Sequence, residues 1–234
     1  MQKFLAIAAA TAAMTLASLG AQAYEAGDII FRAGIATAVP NDDSDPISLP
    51  TDPPTVLPNG VEVDSGTALS VMATWMFRDT WGVELLAATP FEHDIDLADI
   101  DIAAGSTKHL PPTISLQWYP RGGQSGWQPY LGVGVNYTTF FDEEVDPALA
   151  GVLGELLDVT SAKLSLDDSF GLAAQAGVDI PLTEKWSANL GIWYIDLRTT
   201  ADINVTTGSG DKATVSFDVD IDPWVYNIGI AYRF

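Results

Sequence analysis

The sequence predicts an all-β fold, an eight-stranded antiparallel transmembrane β-barrel with long external loops. Three observations carry this. Apolar residues alternate with small or polar ones over eight separate segments, the period of a strand with one apolar face. No stretch beyond residue 23 offers 18 consecutive apolar residues, yet 47% of the chain is hydrophobic, with seven Trp and seven Tyr. Short connections also alternate with long ones, as in barrels whose turns and loops lie on opposite sides of a membrane.

Residues 1–23 stand outside this pattern. Lys3 gives a short positive start, Phe4 to Gly20 is apolar, and Ala21-Gln22-Ala23 is a small-x-small cleavage site. This is an export signal, and its removal leaves Tyr24 first in a single domain, 24–234. An exported chain could use disulfides, but there is no cysteine, so stability must have another source, such as a closed barrel in lipid. The formal charge is −21, and −22 once Lys3 is gone. So acidic a surface excludes nucleic acid, whose phosphates need a basic face. It also speaks against adhesion to anionic head groups and suits a salty or divalent-rich medium.

The first strand is expected near 28–39, with Ile29, Phe31 and Ile35 on one face and Arg32, Gly34 and Ala36 on the other. The second (67–77) alternates Leu69, Val71 and Trp75 with Ser70, Met72 and Met76. The third (81–91) sets Val83 and Leu85 against Glu84 and Leu86, and the fourth (108–119) sets Ile114, Leu116 and Trp118 against Thr113, Ser115 and Gln117. In the fifth (128–141), Leu131, Val133 and Val135 oppose Gly132, Gly134 and Asn136. In the sixth (163–180), Phe170, Leu172 and Val178 oppose Gly171, Gln175 and Asp179. The seventh (186–205) opposes Leu190, Ile192 and Tyr194 to Asn189, Trp193 and Ile195. The eighth (213–234) opposes Trp224, Tyr226 and Ile228 to Val225, Asn227 and Arg233.

Volume decides which face is outside. Eight strands enclose room for side chains and little more. Rows of Trp, Phe, Leu and Tyr would overfill that space, whereas Gly, Ala, Ser and Thr fit, so the bulky rows face lipid. The connections 78–80, 120–126 and 181–185 are short, 41–65, 92–107 and 142–162 are long, and 206–212 is a short exception. With an even strand number, this puts both termini in the periplasm. Trp81, Trp118, Tyr119, Trp127, Tyr130, Trp186 and Phe234 sit at turn edges and read as an interfacial girdle. In the third long loop, Leu149, Val152, Leu153 and Leu156 recur at helical spacing behind Asp146 and Pro147, a cap and a first-turn proline.

By parity Arg32, Glu84, Asp179 and Arg233 point inward near the turn end. Buried charges must pair, so a salt-bridged plug is expected there. Met72, Met76, Leu86, Trp193 and Ile195 also point inward. They read either as an apolar constriction, which resists ions and passes apolar solutes, or as plain filling of a narrow barrel. Pro90 and the pair Pro111-Pro112 fall on neighbouring strands, and each lacks an N–H for the ladder. They mark either a lateral opening or strand bends at the outer rim.

His93 and His109 flank the second long loop and read as solvated or loop-packing residues. No serine stands with them at strand spacing, so no catalytic residue is expected and the chain does not read as an enzyme. The acidic loops lack EF-hand spacing. No cofactor or metal is called for.

The chain ends on Tyr232-Arg233-Phe234, after Tyr226, Ile228 and Ile230. This resembles the terminal strand that the bacterial barrel assembly machinery recognises, with Tyr232 and Phe234 as its signal. Further blocks extend the likeness: Tyr24-Glu25-Ala26-Gly27-Asp28, Gly82-Val83-Glu84-Leu85-Leu86, His109-Leu110-Pro111-Pro112-Thr113, Gln117-Trp118-Tyr119, Asn136-Tyr137-Thr138-Thr139-Phe140-Phe141 and Asp222-Pro223-Trp224-Val225. Together they resemble the outer membrane protein W (OmpW) family. The resemblance implies a Gram-negative outer-membrane barrel with a narrow apolar lumen and a lateral exit for small hydrophobic solutes. Leu86 and Trp193 match the bulky lumen positions of that family. Partners are then outer-membrane lipid, the assembly machinery and the solutes. Two rival classes remain: a structural or receptor-type surface barrel acting through its loops without cargo, and an outer-leaflet lipid enzyme.

Overall fold

The computed structural model describes residues 23–49, 54–100 and 102–234. The export signal expected at 1–23 therefore lies outside the described residues, Ala23 apart. The strands are β1 (Ile29–Val39), β2 (Asp43–Ser44), β3 (Ile47–Leu49), β4 (Thr55–Leu57), β5 (Val61–Val63), β6 (Gly66–Arg78), β7 (Trp81–Ala88), β8 (Phe91–Leu97) and β9 (Ile102–Leu110). They continue with β10 (Thr113–Trp118), β11 (Gln128–Val145), β12 (Val159–Leu166), β13 (Ser169–Pro181), β14 (Trp186–Ile195), β15 (Arg198–Thr207), β16 (Lys212–Asp220) and β17 (Trp224–Arg233). One helix, α1 (Pro147–Leu157), follows β11.

Eight of these strands close the barrel in the order β10-β7-β6-β1-β17-β14-β13-β11, and β11 pairs back onto β10. Alternation sets the sense of every wall. Along β6 the even residues from Gly66 to Met76 are buried and the odd residues from Thr67 to Phe77 exposed. Ile35, Leu69, Leu85, Ile114, Leu131, Phe170, Leu190 and Ile228 thus form an exposed apolar belt. A soluble protein could not carry such a belt, but lipid requires it. Trp118, Trp127, Trp186 and Phe234 edge it near the turns. The expected girdle is corrected at two places: Tyr119 and Tyr130 are buried inside the barrel. Both stand on the inward parity of their strands, and turn proximity misplaced them.

The second long loop is also corrected. Residues 92–107 are largely strand, because β8 and β9 pair with each other, β9 pairs with the upper part of β11, and β5 pairs with β8. A second sheet, β12-β15-β16-β2, stands opposite. The two sheets and α1 make a collar above the barrel. Here the pattern inverts. Ile95, Leu97, Leu164, Ile203, Phe217 and Val219 are buried inside, while Glu92, Asp94, Lys163 and Asp218 face out. The expectation that bulky rows face outward along whole strands therefore fails for 163–166, 198–205 and 213–219, which stand in water and pack as a soluble sandwich does. The first long loop supplies β2 to β5 to the collar. α1 is capped as its sequence requires: the Asp146 side chain accepts from the Ala148 N–H at 2.7 Å, with Pro147 in the first turn.

Barrel and collar meet at a ring of interruptions: Thr89-Pro90, Pro111-Pro112, Asp167-Asp168, Asp196-Leu197 and Ile221 to Pro223. Among the described residues, only β11 runs unbroken through this level, pairing Thr138 with Ser169 and Thr139 with Leu110.

The seam between the first and last strands is fixed by Gly34 opposite Gly229. A Cβ on Gly34 would lie 2.4 Å from the Ile228 carbonyl oxygen and 2.9 Å from the Gly229 Cα, both backbone atoms that cannot turn aside. Gly34→Ala should therefore destabilise the closed barrel by roughly 1–3 kcal/mol, the scale of overpacking. The check is the urea midpoint for loss of the heat-resistant, fast-migrating band in lipid.

Candidate functional site: the lumen

The interior holds a charge network in its lower half and a mainly apolar lining, with Thr113, Asn136 and Thr138 bonded to one another on one wall, in its upper half. Below, a single cation organises the wall. Arg32 donates to Asp179 through Nε (3.1 Å) and Nη2 (2.6 Å), and through Nη1 to Glu84 (3.1 Å) and Thr74 (2.7 Å). Its Nη2 also donates to the Tyr119 hydroxyl at 2.9 Å, and its guanidinium lies 4.9 Å from the Tyr130 ring centroid. The carboxylates are held in turn. Tyr24 and Asn189 donate to Asp179 at 2.8 and 2.9 Å, and Gln175 donates to Glu84 at 3.1 Å. Gln117 donates to Gln175 (2.9 Å), Asn227 to Asn189 (3.0 Å) and Ser70 to Asn227 (2.5 Å). Each of the eight barrel strands contributes at least one side chain.

The sequence-expected residues divide here. Arg32, Glu84 and Asp179 are buried and joined. Arg233 is not part of this cluster. It sits at the rim, 3.6 Å from Asp28, with its guanidinium donating to the Ala23 and Glu184 carbonyls. Its place one residue from the chain end puts it level with the turns rather than the wall. Tyr24, Thr74, Gln117, Gln175, Asn189 and Asn227 were missed, although inward parity marks all but Tyr24. Tyr232 and Phe234 stack edge to face at 4.7 Å, and the Phe234 N–H donates to the Ile29 carbonyl at 2.9 Å.

Above the network the lining turns apolar. Met72, Leu86, Trp193 and Ile195 are buried together with Phe91, Phe140 and Val225. Met76 lies lower, beside Ile30, Tyr119 and Tyr130, and belongs to the floor rather than to this group. Gly191 allows the indole to lie against the wall, since a Cβ there would stand 2.6 Å from Trp193 Cη2. A cavity of about 20 Å³ remains between Met72, Leu86, Phe91, Pro111, Trp193 and Val225. Over it lies a stack of rings: Phe91 on His109 at 5.4 Å and His109 on His93 at 4.9 Å, with Phe140 tilted against His109 at 5.7 Å. Beyond the stack a cavity of about 50 Å³ lies in the collar, walled by Ile95, Leu149, Leu164, Ile203 and Phe217. A third, of about 170 Å³, opens beneath α1 and shares Leu97, Leu149 and Ile203 with the second.

Of the three prolines, Pro111 lines the lowest cavity, and Pro90 and Pro112 are exposed. The β7–β10 ladder ends at Leu86 opposite Thr113, and the β8–β9 ladder begins at Phe91 opposite His109. Residues 87–90 and 110–112 have no ladder pair across that seam. On its other side the strand stays tied to β11, because the Tyr137 N–H donates to the Pro112 carbonyl at 3.1 Å and Asn136 Nδ2 to the Pro111 carbonyl at 3.1 Å. Phe91 was not expected in the lumen, because a one-residue phase slip at Thr89-Pro90 carries it inward. The two histidines, expected as solvated or loop-packing residues beside the second long loop, are buried, and His93 stands in a strand as His109 does.

A closed barrel with an apolar belt, filled by a hydrogen-bonded charge cluster, defines an outer-membrane β-barrel protein. The comparisons narrow this. Residues 25–234 match the sequence model of the OmpW family. Outer membrane protein W of Vibrio cholerae is 40% identical over 223 residues, covering 94% of each chain, and that of Escherichia coli K12 is 40% identical over 229 residues, covering 97% of each. The crystal structure of OprG from Pseudomonas aeruginosa superimposes with a TM-score of 0.78 at 43% identity, over 92% of this chain and 99% of that one. The chain belongs to the OmpW family, and its place is the Gram-negative outer membrane.

Two outcomes follow from this geometry. Arg32→Met leaves Glu84 and Asp179 facing each other without their cation. It should cost the barrel about 3–5 kcal/mol, the scale for orphaning buried charge, and the triple change Arg32→Met, Glu84→Gln, Asp179→Asn should recover most of that. Urea midpoints in lipid read both. The second outcome concerns pH. Burial, reinforced by the neighbouring His93, pushes His109 down to about 3, and burial also lowers His93 against the pull of Asp64 and Asp94. A depressed histidine favours the unfolded state once that state takes up protons. Collar stability should thus be full above about pH 6.5 and fall as pH drops from there toward 3. Hydrogen exchange of the β8 and β9 amides checks this, and His109→Phe should flatten the profile.

Proposed function

We propose that the protein takes up small hydrophobic molecules from the cell exterior and releases them sideways into the outer membrane. The observation that carries this reading is the pairing of a sealed floor with a broken wall. Below Trp193 the lumen is filled by charged and amide side chains whose partners are already satisfied. Above it, apolar cavities run from beneath α1 down to the seam at Pro90, Pro111 and Pro112. An apolar solute loses little on entering such a path and much on entering the charge cluster. On this reading the collar faces outward, both termini lie in the periplasm, and residues 1–23 are the removed export signal. Met72, Leu86, Trp193 and Ile195 act as the gate, with Trp193 its bulkiest member. The terminal Tyr232 and Phe234 serve assembly. We read the protein as a conduit rather than an enzyme, because His93 and His109 stack on each other and on Phe91 instead of on a nucleophile.

The test is uptake of labelled octane by Gram-negative cells with an intact outer leaflet. Cells making the protein should gain uptake over cells lacking it. A Trp193→Asp variant that still shows the folded, fast-migrating band should lose the gain, since a carboxylate in the apolar level raises the barrier to an alkane. Equal uptake in all three strains would rule the conduit out.

A further inference from the structure

Two polar atoms stand out in the apolar path. His93 Nε2 and Trp193 Nε1 are buried and have no hydrogen-bond partner. His93 is 3% exposed and Trp193 1%. They occur on either side of the Phe91–His109 stack, His93 against the collar cavity and Trp193 against the cavity below. A buried donor or acceptor without a partner carries an energetic penalty, so each calls for an explanation. A path for plain hydrocarbon would avoid the penalty with phenylalanine at both positions.

Their chemistry is complementary. His93 Nδ1 lies 2.5 Å from the Asp64 carbonyl oxygen, which can only accept, so Nδ1 carries the hydrogen. In the neutral ring Nε2 is therefore a lone pair awaiting a donor. Gly66 leaves that edge of the ring without a side chain over it, since a Cβ there would stand 2.9 Å from Nε2. Trp193 Nε1–H is a donor only and awaits an acceptor. A hydroxyl oxygen is both: it can donate to His93 in the collar and, after passing the ring stack, accept from Trp193. An alkane satisfies neither atom. A carboxylate would meet His93 lone pair to lone pair, and among the described residues no lysine or arginine lines the three apolar cavities to offset its charge.

The mouth favours the same choice. Asp43, Asp45, Asp167, Asp168, Asp218 and Asp220 crowd one side of the collar around Arg198, and Asp64, Asp94, Asp96, Glu144 and Asp146 crowd another. Such a field repels anions before they reach the path and leaves neutral molecules unaffected.

We propose that the site selects neutral apolar molecules bearing one hydroxyl group, alcohols or phenols, with His93 and Trp193 as successive head-group contacts. This rests on the conduit reading and specifies its substrate class. The experiment compares protein-dependent uptake of 1-octanol, octane and octanoate by the same cells, each corrected for cells lacking the protein. Octanol should exceed both others, by about two- to tenfold over octane, the range for one or two added hydrogen bonds. His93→Phe and Trp193→Phe keep a ring at each position; the second removes one hydrogen-bonding atom, and the first removes Nε2 together with the Nδ1–H that donates to the Asp64 carbonyl. Each should lower the octanol-to-octane ratio, and the double variant should bring it close to one. Folding of each variant is read from its gel mobility. If a variant does not fold, the wild-type comparison still decides. Octane equal to octanol, or octanoate ahead of both, overturns the head-group contacts and leaves the conduit standing. A ratio unchanged in the folded double variant overturns them too. No protein-dependent uptake of any of the three removes the conduit, and this proposal with it.

Discussion

A single guanidinium placed where no water can reach it organises the barrel. Arg32 is fully buried, and five oxygens from four other strands and their flanks converge on it. Such a charge is tolerable only with its partners in place. Each partner therefore fixes the inward face of its own strand, and a strand slipped by one residue would turn its partner into lipid. The cluster thus works as a register gauge for the whole circle. It also fills the lower lumen with charged and amide side chains.

The molecule changes solvent midway along its length. Below the ring of interruptions the outside is lipid and the inside is polar. Above it the outside is water and the inside apolar. The same strands serve both halves, and the interruptions are where one arrangement gives way to the other. In β14 and β15 the inward residues pass from Asn189 through Trp193 and Leu197 to Ala201 with no change of parity, so only their chemistry changes. On the β7–β8 strand and the β12–β13 strand a residue is slipped, at Thr89-Pro90 and at Asp167-Asp168. The apolar cavities begin where the inside becomes apolar, which ties the candidate path to the change of solvent.

Alternation made most of the barrel legible. Eight segments, their lipid faces, the inward Arg32, Glu84 and Asp179, and the capped helix behind Asp146 could all be read from residue order. What could not be read depended on partners distant in sequence. Residues 92–107, with Glu92, Asp94 and Asp96 alternating along β8 and small residues along β9, look like a loop until β11 and β5 are seen to pair with them. Tyr119 and Tyr130 obey parity but were judged by their nearness to turns, although tyrosine fits either a girdle or a buried hydrogen-bond network. His93 and His109 become a stack only because β8 and β9 are adjacent, an arrangement no local spacing encodes.

The continuity of β11 bears on how the chain can change. On the other strands that join barrel to collar, the breaks can absorb a gained or lost residue, as the slips at Thr89-Pro90 and Asp167-Asp168 already do. Through Thr138 and Thr139 there is no such slack. An added residue there would exchange inside for outside as far as the bulge between Phe141 and Glu144, turning Phe140 outward and withdrawing it from His109. The ring stack over the lumen therefore depends on β11 keeping its count from Thr138 to Phe141, below the bulge that follows.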